Sequence, residues 1–256
     1  RNKGFENATA DWVVNCDPDD WYDLNAIELL VKAQVEHEVD MVIASARVVL
    51  NIEKPTSNKE AELRGEVLIP RKALENIYYI KDLPGESQWG KLFRKEHLLK
   101  HPNPPDYIHE DAAVIHLLLS ECDNIFFSSD PIYCYYQRLG SIMNSSYTPD
   151  SLLLMDALND HRTGILYVAP HDKALLKAWL YKYVNVSKRI LSVLDVKNKK
   201  DIAGFVLNEA RLFSFFVAFN RKLSFKERRE ALKFTFAPFR SIKNNREEMQ
   251  KKLEQD

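Results

Sequence analysis

Glycine is scarce in this chain, seven in 256 residues, against 13 phenylalanines and 11 tyrosines. A chain so aromatic and so poor in glycine has ample apolar surface to bury, which excludes a disordered linker or a low-complexity protein. No internal repeat is visible, so solenoids and propellers are excluded as well. Cysteine is equally sparse: Cys16, Cys122 and Cys134 stand at unrelated spacings, with no CxxC pair and no histidine pair at zinc spacing. Neither a disulfide framework nor a structural zinc site is encoded, and the three thiols read as reduced and buried in a cytosolic protein. No apolar run reaches the ~18 residues that a membrane-spanning helix requires. The basic start, Arg1-Asn2-Lys3-Gly4, runs into Glu6 and Asp11 rather than an apolar stretch, so no signal peptide is expected. Without secretion, the glycan-acceptor triplets at Asn7, Asn144 and Asn185 read as chance matches.

The formal net charge of -1 conceals an asymmetry. Residues 1–170 hold 16 basic against 27 acidic side chains, whereas residues 171–256 hold 20 against 10. An acidic front and a basic rear point to two functional halves.

The order of elements is that of an α/β layered protein. Asp11 to Cys16 reads as a short strand, ended by Pro18, which delivers Asp17-Pro18-Asp19-Asp20 at its C-terminal tip. Asp23 is placed to cap the following helix, Leu24 to Val39, where Ile27, Leu30, Val31 and Val35 recur at helical spacing. Asp40 to Leu50 is rich in β-branched residues and reads as a largely buried strand. Residues 51–88 are polar and broken by Pro55, Pro70 and Pro84, with one helix expected near Arg71 to Ile80. A short strand at Trp89 to Phe93, a helix at Arg94 to Lys100 and a proline-rich loop at His101 to Tyr107 follow. Glu110-Asp111 opens a helix over Ala112 to Cys122, and Ile125 to Ser129 and Ile132 to Gln137 read as strands. From about Asp150 onward the pattern is helical almost throughout.

Two acidic groups carry the chemistry. Magnesium or manganese takes hard carboxylate oxygens and binds through one or two of them plus substrate phosphates, which suits Asp17-x-Asp19-Asp20; the same residues also suit an acidic turn before a helix. Glu110 or Asp111, at the mouth of a helix, suits a general base for an acceptor hydroxyl; equally, acids there simply complement the positive helix end.

The ordered blocks Arg1-Asn2-x-Gly4, DWVVNCDPDDWYD, WGKLFRKEHL, EDAAV and YCYYQRLGSIMN resemble family-2 glycosyltransferases of the GT-A fold, most of all bacterial members that build capsular, exopolysaccharide or cell-wall glycans. The resemblance spans residues 1 to about 145. It implies a partial GT-A, Rossmann-like nucleotide-diphospho-sugar transferase domain at 1–148 and an α-helical domain at 149–256. It implies an inverting, hexosyltransferase-like enzyme that moves sugar from a nucleotide-diphosphate donor, a UDP-sugar above all, to a glycan or polyprenyl-linked acceptor. Carried over by position, Asp17 and Asp19 match the DxD motif. Asp19 would be the direct ligand of Mn2+ or Mg2+, Asp17 a contact to the ribose or the metal shell, and Asp20 a supporting residue. Arg1 matches the basic residue facing the nucleotide, and Asp111 the catalytic base with Glu110 as its neighbour or substitute. Trp89, Lys91 and Arg138 fall on the acceptor or diphosphate side. Since the family fold starts with strand–helix–strand units, the resemblance implies roughly 60–90 further residues upstream, without which this stretch alone would lack base recognition. Tyr136-Gln137-Arg138-Leu139 does not supply the QxxRW motif of processive synthases, so one sugar per encounter is expected. The competing reading is a non-catalytic binding or scaffold module built on the same fold.

The rear half interleaves nine phenylalanines between residues 205 and 239 with Arg211, Arg221, Lys222, Lys226, Arg228 and Arg229. Two readings stay open: basic amphipathic helices that contact an anionic membrane peripherally, and a bundle with an aromatic core that can form a homodimer. Nucleic acid is not expected as a partner, because no recognised motif accompanies the charge. The combined expectation is a cytoplasmic enzyme, peripheral at the inner face of the membrane.

Overall fold

Residues 41–44, Met-Val-Ile-Ala, are fully buried and anchor the sheet from its middle. They open β3 (Met41–Val49), which pairs in parallel with the longest strand, β6 (Ile125–Tyr136). The computed structural model describes residues 1–51, 55–57, 62–79, 85–105, 107, 109–137, 153–168, 171–193 and 200–255. It divides into two compact units, Arg1–Ser145 and Ser146–Asp256.

In the first unit, β5 (Lys91–Arg94) lies antiparallel to β3 on one side and to β1 (Trp12–Val14) on the other. On the far side of the sheet, β4 (Gly65–Leu68) and β2 (Trp21–Tyr22) both pair antiparallel with β6. The strand order is β1-β5-β3-β6-β2, with β4 also on β6. The α/β class read from the sequence is the observed one, with helices α1 (Asn2–Asn7), α2 (Ala26–His37), α3 (Pro70–Tyr79), α4 (Lys95–Lys100) and α5 (Glu110–Ser120) around the sheet.

Four local differences from the sequence reading have physical causes. The two strands expected at 125–129 and 132–137 are one strand that runs through Pro131. Proline is tolerated there because β4 pairs with residues up to Ser128 and β2 only from Tyr133, and the β3 register shifts opposite Ser45, so no ladder N–H is required of residue 131. β4, read as loop, is a short and mostly exposed strand with no alternating pattern. Its Gly65 lies so close to β6 that a Cβ would collide with the Phe127 carbonyl oxygen and the Phe126 ring. On α2 the buried face is Ala26, Leu29, Leu30 and Ala33, which pack on Val42, Ala44 and Phe126. Ile27, Val31 and Val35 point outward, because two alanines let the helix approach the sheet more closely than branched side chains would. Asp23 does not cap α2: Asn25 holds that position, while the buried Asp23 carboxylate accepts both guanidinium arms of Arg47, one at 3.0 Å.

The second unit is helical, with α6 (Leu153–Val168), α7 (Lys173–Val193), α8 (Lys200–Val217), α9 (Phe225–Phe236) and α10 (Pro238–Gln255). Its core is aromatic: Trp179 and Tyr183 of α7 pack edge-on against Phe213 of α8. The polar ends of these rings are satisfied, Trp179 Nε1 donating to the Leu158 carbonyl at 2.6 Å and the Tyr183 hydroxyl to Glu209 at 2.5 Å. Ser224 and Glu227 close a reciprocal capping box at the start of α9. Among the described residues no helix is long and apolar enough to cross a membrane.

Candidate functional site

Strand β1 is only three residues long, so the acidic tip beyond it needs other anchors. Tyr133, buried in β6, supplies one. Its hydroxyl accepts the Asp17 backbone N–H at 3.0 Å and donates to the Asp20 carboxylate at 2.8 Å. The other Asp20 oxygen accepts the Tyr136 N–H at 2.9 Å. Burial raises the Asp20 pKa above the ordinary carboxylate value, the two hydrogen bonds oppose that rise, and the nearby Asp19 and Asp17 charges add to it. Asp20 therefore fastens the turn to the sheet, while Asp19 is exposed at its apex and Asp17 is half-buried beside it.

The tyrosine is itself clamped. Trp89 stacks flat on Tyr133 with ring centroids 4.7 Å apart and also stacks on Tyr135, while Tyr22 meets Tyr133 edge-on at 4.8 Å. Trp89 is only 3% exposed, so its ring lies within this aromatic stack. Beneath the tip a buried amide network joins Asn15, Gln88 and Asn103: Gln88 donates to Asn103 at 2.9 Å and accepts from Asn15 at 3.3 Å. Asn2 of α1 completes it with two bonds to the Asn103 backbone, at 2.8 and 3.0 Å. Fully satisfied buried networks of this kind fix one arrangement of loops, since each broken bond strands a desolvated partner. Here the network fixes the position of α1, and with it Arg1.

Arg1 joins the two acidic groups. One guanidinium nitrogen donates to Asp17 Oδ1 at 2.5 Å and the other to Glu110 Oε1. Glu110 and Asp111 form the first turn of α5, so the strand tip and the helix mouth meet across one cation. Asp111 is half-buried, and its Oδ1 accepts the Ala112 N–H at 2.8 Å. Burial and the Glu110 charge push its pKa up to about 6, against the opposing pull of Arg1. Lys91 lies fully buried nearby, its ammonium donating to the carbonyls of Gly85, at 3.3 Å, and Ser87. Burial lowers its pKa to about 7, while the charges of Asp111 and Glu86 oppose that fall. Arg138 lies outside the described residues.

Among the named residues, then, Arg1, Asp17, Glu110 and Asp111 come together, and Asp19 and Asp20 belong to the same turn. Trp89 and Lys91 stand under this group as buried supports. Sequence reasoning passed over Tyr133 and the Asn15–Gln88–Asn103 network, whose only trace was the tyrosine-rich block around residues 133–136. The residues fit a divalent cation of the magnesium or manganese type. Among the described residues no three acids, histidines or cysteines gather into a closed cage; an ion held by one or two carboxylates and phosphate oxygens requires none.

Among solved structures, the chain is similar to S. aureus TarS 1–349 in complex with UDP-GlcNAc, at 17% identity over 82% of this chain and 70% of that one, with a TM-score of 0.45. The same protein in complex with UDP matches at 16% identity over 91% and 69%, with a TM-score of 0.42. S. aureus TarS at greater length matches at 15% identity over 91% of this chain and 42% of that chain, with a TM-score of 0.40. No curated protein matches. The model of one protein family, glycosyl transferase family 2, matches residues 1–101, a stretch that contains Arg1, the acidic tip and Lys91. Over that stretch, residues 1–101 of 256, the chain is similar to glycosyl transferase family 2.

Proposed function

We propose that the first unit transfers a sugar, with inversion, from a nucleotide-diphosphate donor of the UDP-sugar type to a hydroxyl on a glycan or polyprenyl-linked acceptor, in the synthesis of a bacterial cell wall or surface polysaccharide. One observation carries this reading: Arg1 binds Asp17 of the strand tip and Glu110 of the α5 mouth at once, so a carboxylate for the donor side and one for the acceptor side border the same small region. In this mechanism Asp111 takes the proton of the acceptor hydroxyl as its oxygen bonds to the anomeric carbon. The carbon–oxygen bond to the diphosphate breaks in the same displacement, and its electron pair leaves with the diphosphate. A carboxylate pKa of about 6 suits that base, which is ionised at neutral pH yet more basic than an ordinary aspartate. Arg1 would exchange part of its bonding from Asp17 to the donor phosphates, where a guanidinium fork binds well.

Asp19 and Asp17 would hold a magnesium or manganese ion together with the donor phosphates. When bound, that ion neutralises charge on the departing diphosphate. Trp89, Lys91 and Asp20 act from below: they hold the tip and the 85–87 loop in place. We place the protein in the cytoplasm, at the inner face of the membrane where a lipid-linked acceptor is presented.

The test joins binding to chemistry. Calorimetric titration of the chain with UDP, with and without manganese, is expected to show metal-dependent binding that weakens at least about tenfold in Asp19→Ala, the loss of one charge-assisted contact. Asp111→Asn is expected to lower transfer by ~10²–10⁴-fold while donor binding stays within about twofold. A chain that binds glycan but no nucleoside diphosphate under any metal condition belongs to a scaffold module instead, and the transferase reading then fails.

A further inference from the structure

The second unit leaves a large aromatic surface uncovered. On α8, Phe205, Leu212 and Phe216 fall within ~40° of one another at 3.6 residues per turn, and Phe219 follows in the turn beyond. On α9, Phe225, Leu232 and Phe236 line up in the same way. The five phenylalanines are between 52% and 77% exposed. The two helices run antiparallel side by side, joined by Ser214 Oγ to the Ala231 carbonyl at 2.7 Å, Arg211 to the Thr235 carbonyl at 3.1 Å and Arg228 to the Ala218 carbonyl at 3.0 Å. Ser214, Val217 and Phe234 point to the buried side of the pair. With the contact edge and the buried side both assigned, the two phenylalanine stripes share the outer side and form one apolar face. A helix that is apolar on opposite faces lacks the solvent-facing polar side of an ordinary surface helix. An exposed patch of this extent marks a surface that meets something.

The charges around the face say what. Between residues 205 and 239 there are seven basic and three acidic side chains. All three acids are engaged inside the unit: Glu209 by the Tyr183 hydroxyl, Glu227 by Ser224 and Tyr181, and Glu230 by Lys233. Arg221 and Lys226, on the α8–α9 turn and the first turn of α9, form no ion pair among the described residues, and Arg229 is exposed between Phe225 and Leu232. The face therefore combines apolar rings with unbalanced positive charge. A second copy of the chain meeting this face about a two-fold axis would set the same cations against one another. An anionic bilayer accepts both parts: the rings enter the headgroup boundary and the cations meet lipid phosphates.

We infer that the outer face of α8 and α9 docks on the surface of an anionic membrane. The inference rests on the helical unit alone, so it stands or falls separately from the transferase reading.

The experiment is co-sedimentation of the whole chain with vesicles of phosphatidylcholine, or of phosphatidylcholine mixed with phosphatidylglycerol, at low and high salt. Binding is expected with phosphatidylglycerol only, and is expected to weaken as salt rises. Arg221→Glu with Lys226→Glu should lower partitioning at least about tenfold, at roughly one factor of five or more per reversed charge. Phe225→Ala with Phe236→Ala should abolish most of the remainder. Both pairs change exposed side chains, and unchanged thermal melts and helical circular dichroism would verify that the unit is intact. Absence of binding to anionic vesicles overturns the inference, as does binding that the four substitutions leave unchanged. Sedimentation equilibrium supplies the other overturning result: a dimer that the phenylalanine pair splits, in a chain that ignores vesicles, assigns the face to a second copy.

Discussion

Asp17 and Glu110 are held by the two arms of one guanidinium, that of Arg1. Each carboxylate is about three-quarters covered, 25% exposed at the side chain, so the three charges interact in a partly desolvated setting. The arrangement keeps two acids that are far apart in the sequence close together, which their mutual repulsion would otherwise oppose.

Removing that cation tests the arrangement. Arg1→Ala should leave Asp17, Glu110 and Asp111 facing one another and raise the Asp111 pKa further above its present value of about 6, because Arg1 is the largest influence that lowers it. The acidic limb of the pH profile for sugar transfer should move to higher pH. Arg1→Lys keeps the charge but not the fork, and should restore the limb while leaving donor affinity lowered. A limb that stays in place in Arg1→Ala would separate Arg1 from the base.

Asp111 itself links stability to pH, and the sign is opposite to that of most carboxylates. Its folded pKa, about 6, lies above the ordinary value of 3.8, so the folded chain binds the proton more tightly than the unfolded one. The penalty for ionising it is absent below pH ~4 and grows as pH rises towards 6, after which it is constant. Asp111→Asn should therefore stabilise the protein at pH 7 by on the order of 1 kcal/mol, a value reduced for the partial solvent contact of the group, and by much less near pH 4. Thermal melts at the two pH values read the difference directly. Equal effects at both would show that Asp111 is not held in the folded state against its ionisation.

The sequence makes some of this legible and conceals the rest for identifiable reasons. The acidic tip and the Glu110-Asp111 mouth stand out because they fall in ordered blocks that resemble a known family; by charge alone each suits the start of a helix equally well. That one arginine joins them depends on where α1 is fastened, and α1 is fastened by Asn2 through a buried amide network that has no sequence signature. Tyr133 is invisible for the same reason: a tyrosine in a β-rich run reads as core, and only its hydroxyl contacts reveal a second duty. The α2 stripe was misleading because large apolar residues draw attention, whereas the buried side is partly alanine. Spacing reports that a helix has an apolar face, not which of two such faces meets the sheet.

Tyr133→Phe should separate the two duties of that residue. The ring and its stack with Trp89 persist, but the Asp17 N–H and the Asp20 carboxylate both lose a partner in a partly buried place. A lost bond to a charged acceptor, with a donor left unsatisfied, costs about 1–3 kcal/mol. Denaturant unfolding should show that loss. Manganese-dependent UDP binding should weaken by a larger factor than in a variant of equal stability altered in the second unit, such as Tyr183→Phe. Equal weakening in both would reduce Tyr133 to a core residue.

Asp23→Asn distinguishes an ion pair from a helix cap. Asparagine caps helices about as well as aspartate, so a capping role would make the substitution nearly neutral. The structure instead places the carboxylate in the interior, 2% exposed, with both oxygens on Arg47. An amide presents one oxygen to that fork and turns a second donor, its NH₂ group, towards the other arm. The neutral contact is weaker, and one buried donor faces another. The expected cost is about 1–3 kcal/mol, seen as a lower denaturation midpoint at unchanged slope. Arg47→Met in the same background should cost little more, because the pair has already been broken and Arg47 is 37% exposed. Additive losses from the two substitutions would mean that Asp23 and Arg47 act independently. The position of α2 behind the acidic tip would then rest on its buried alanine and leucine face alone.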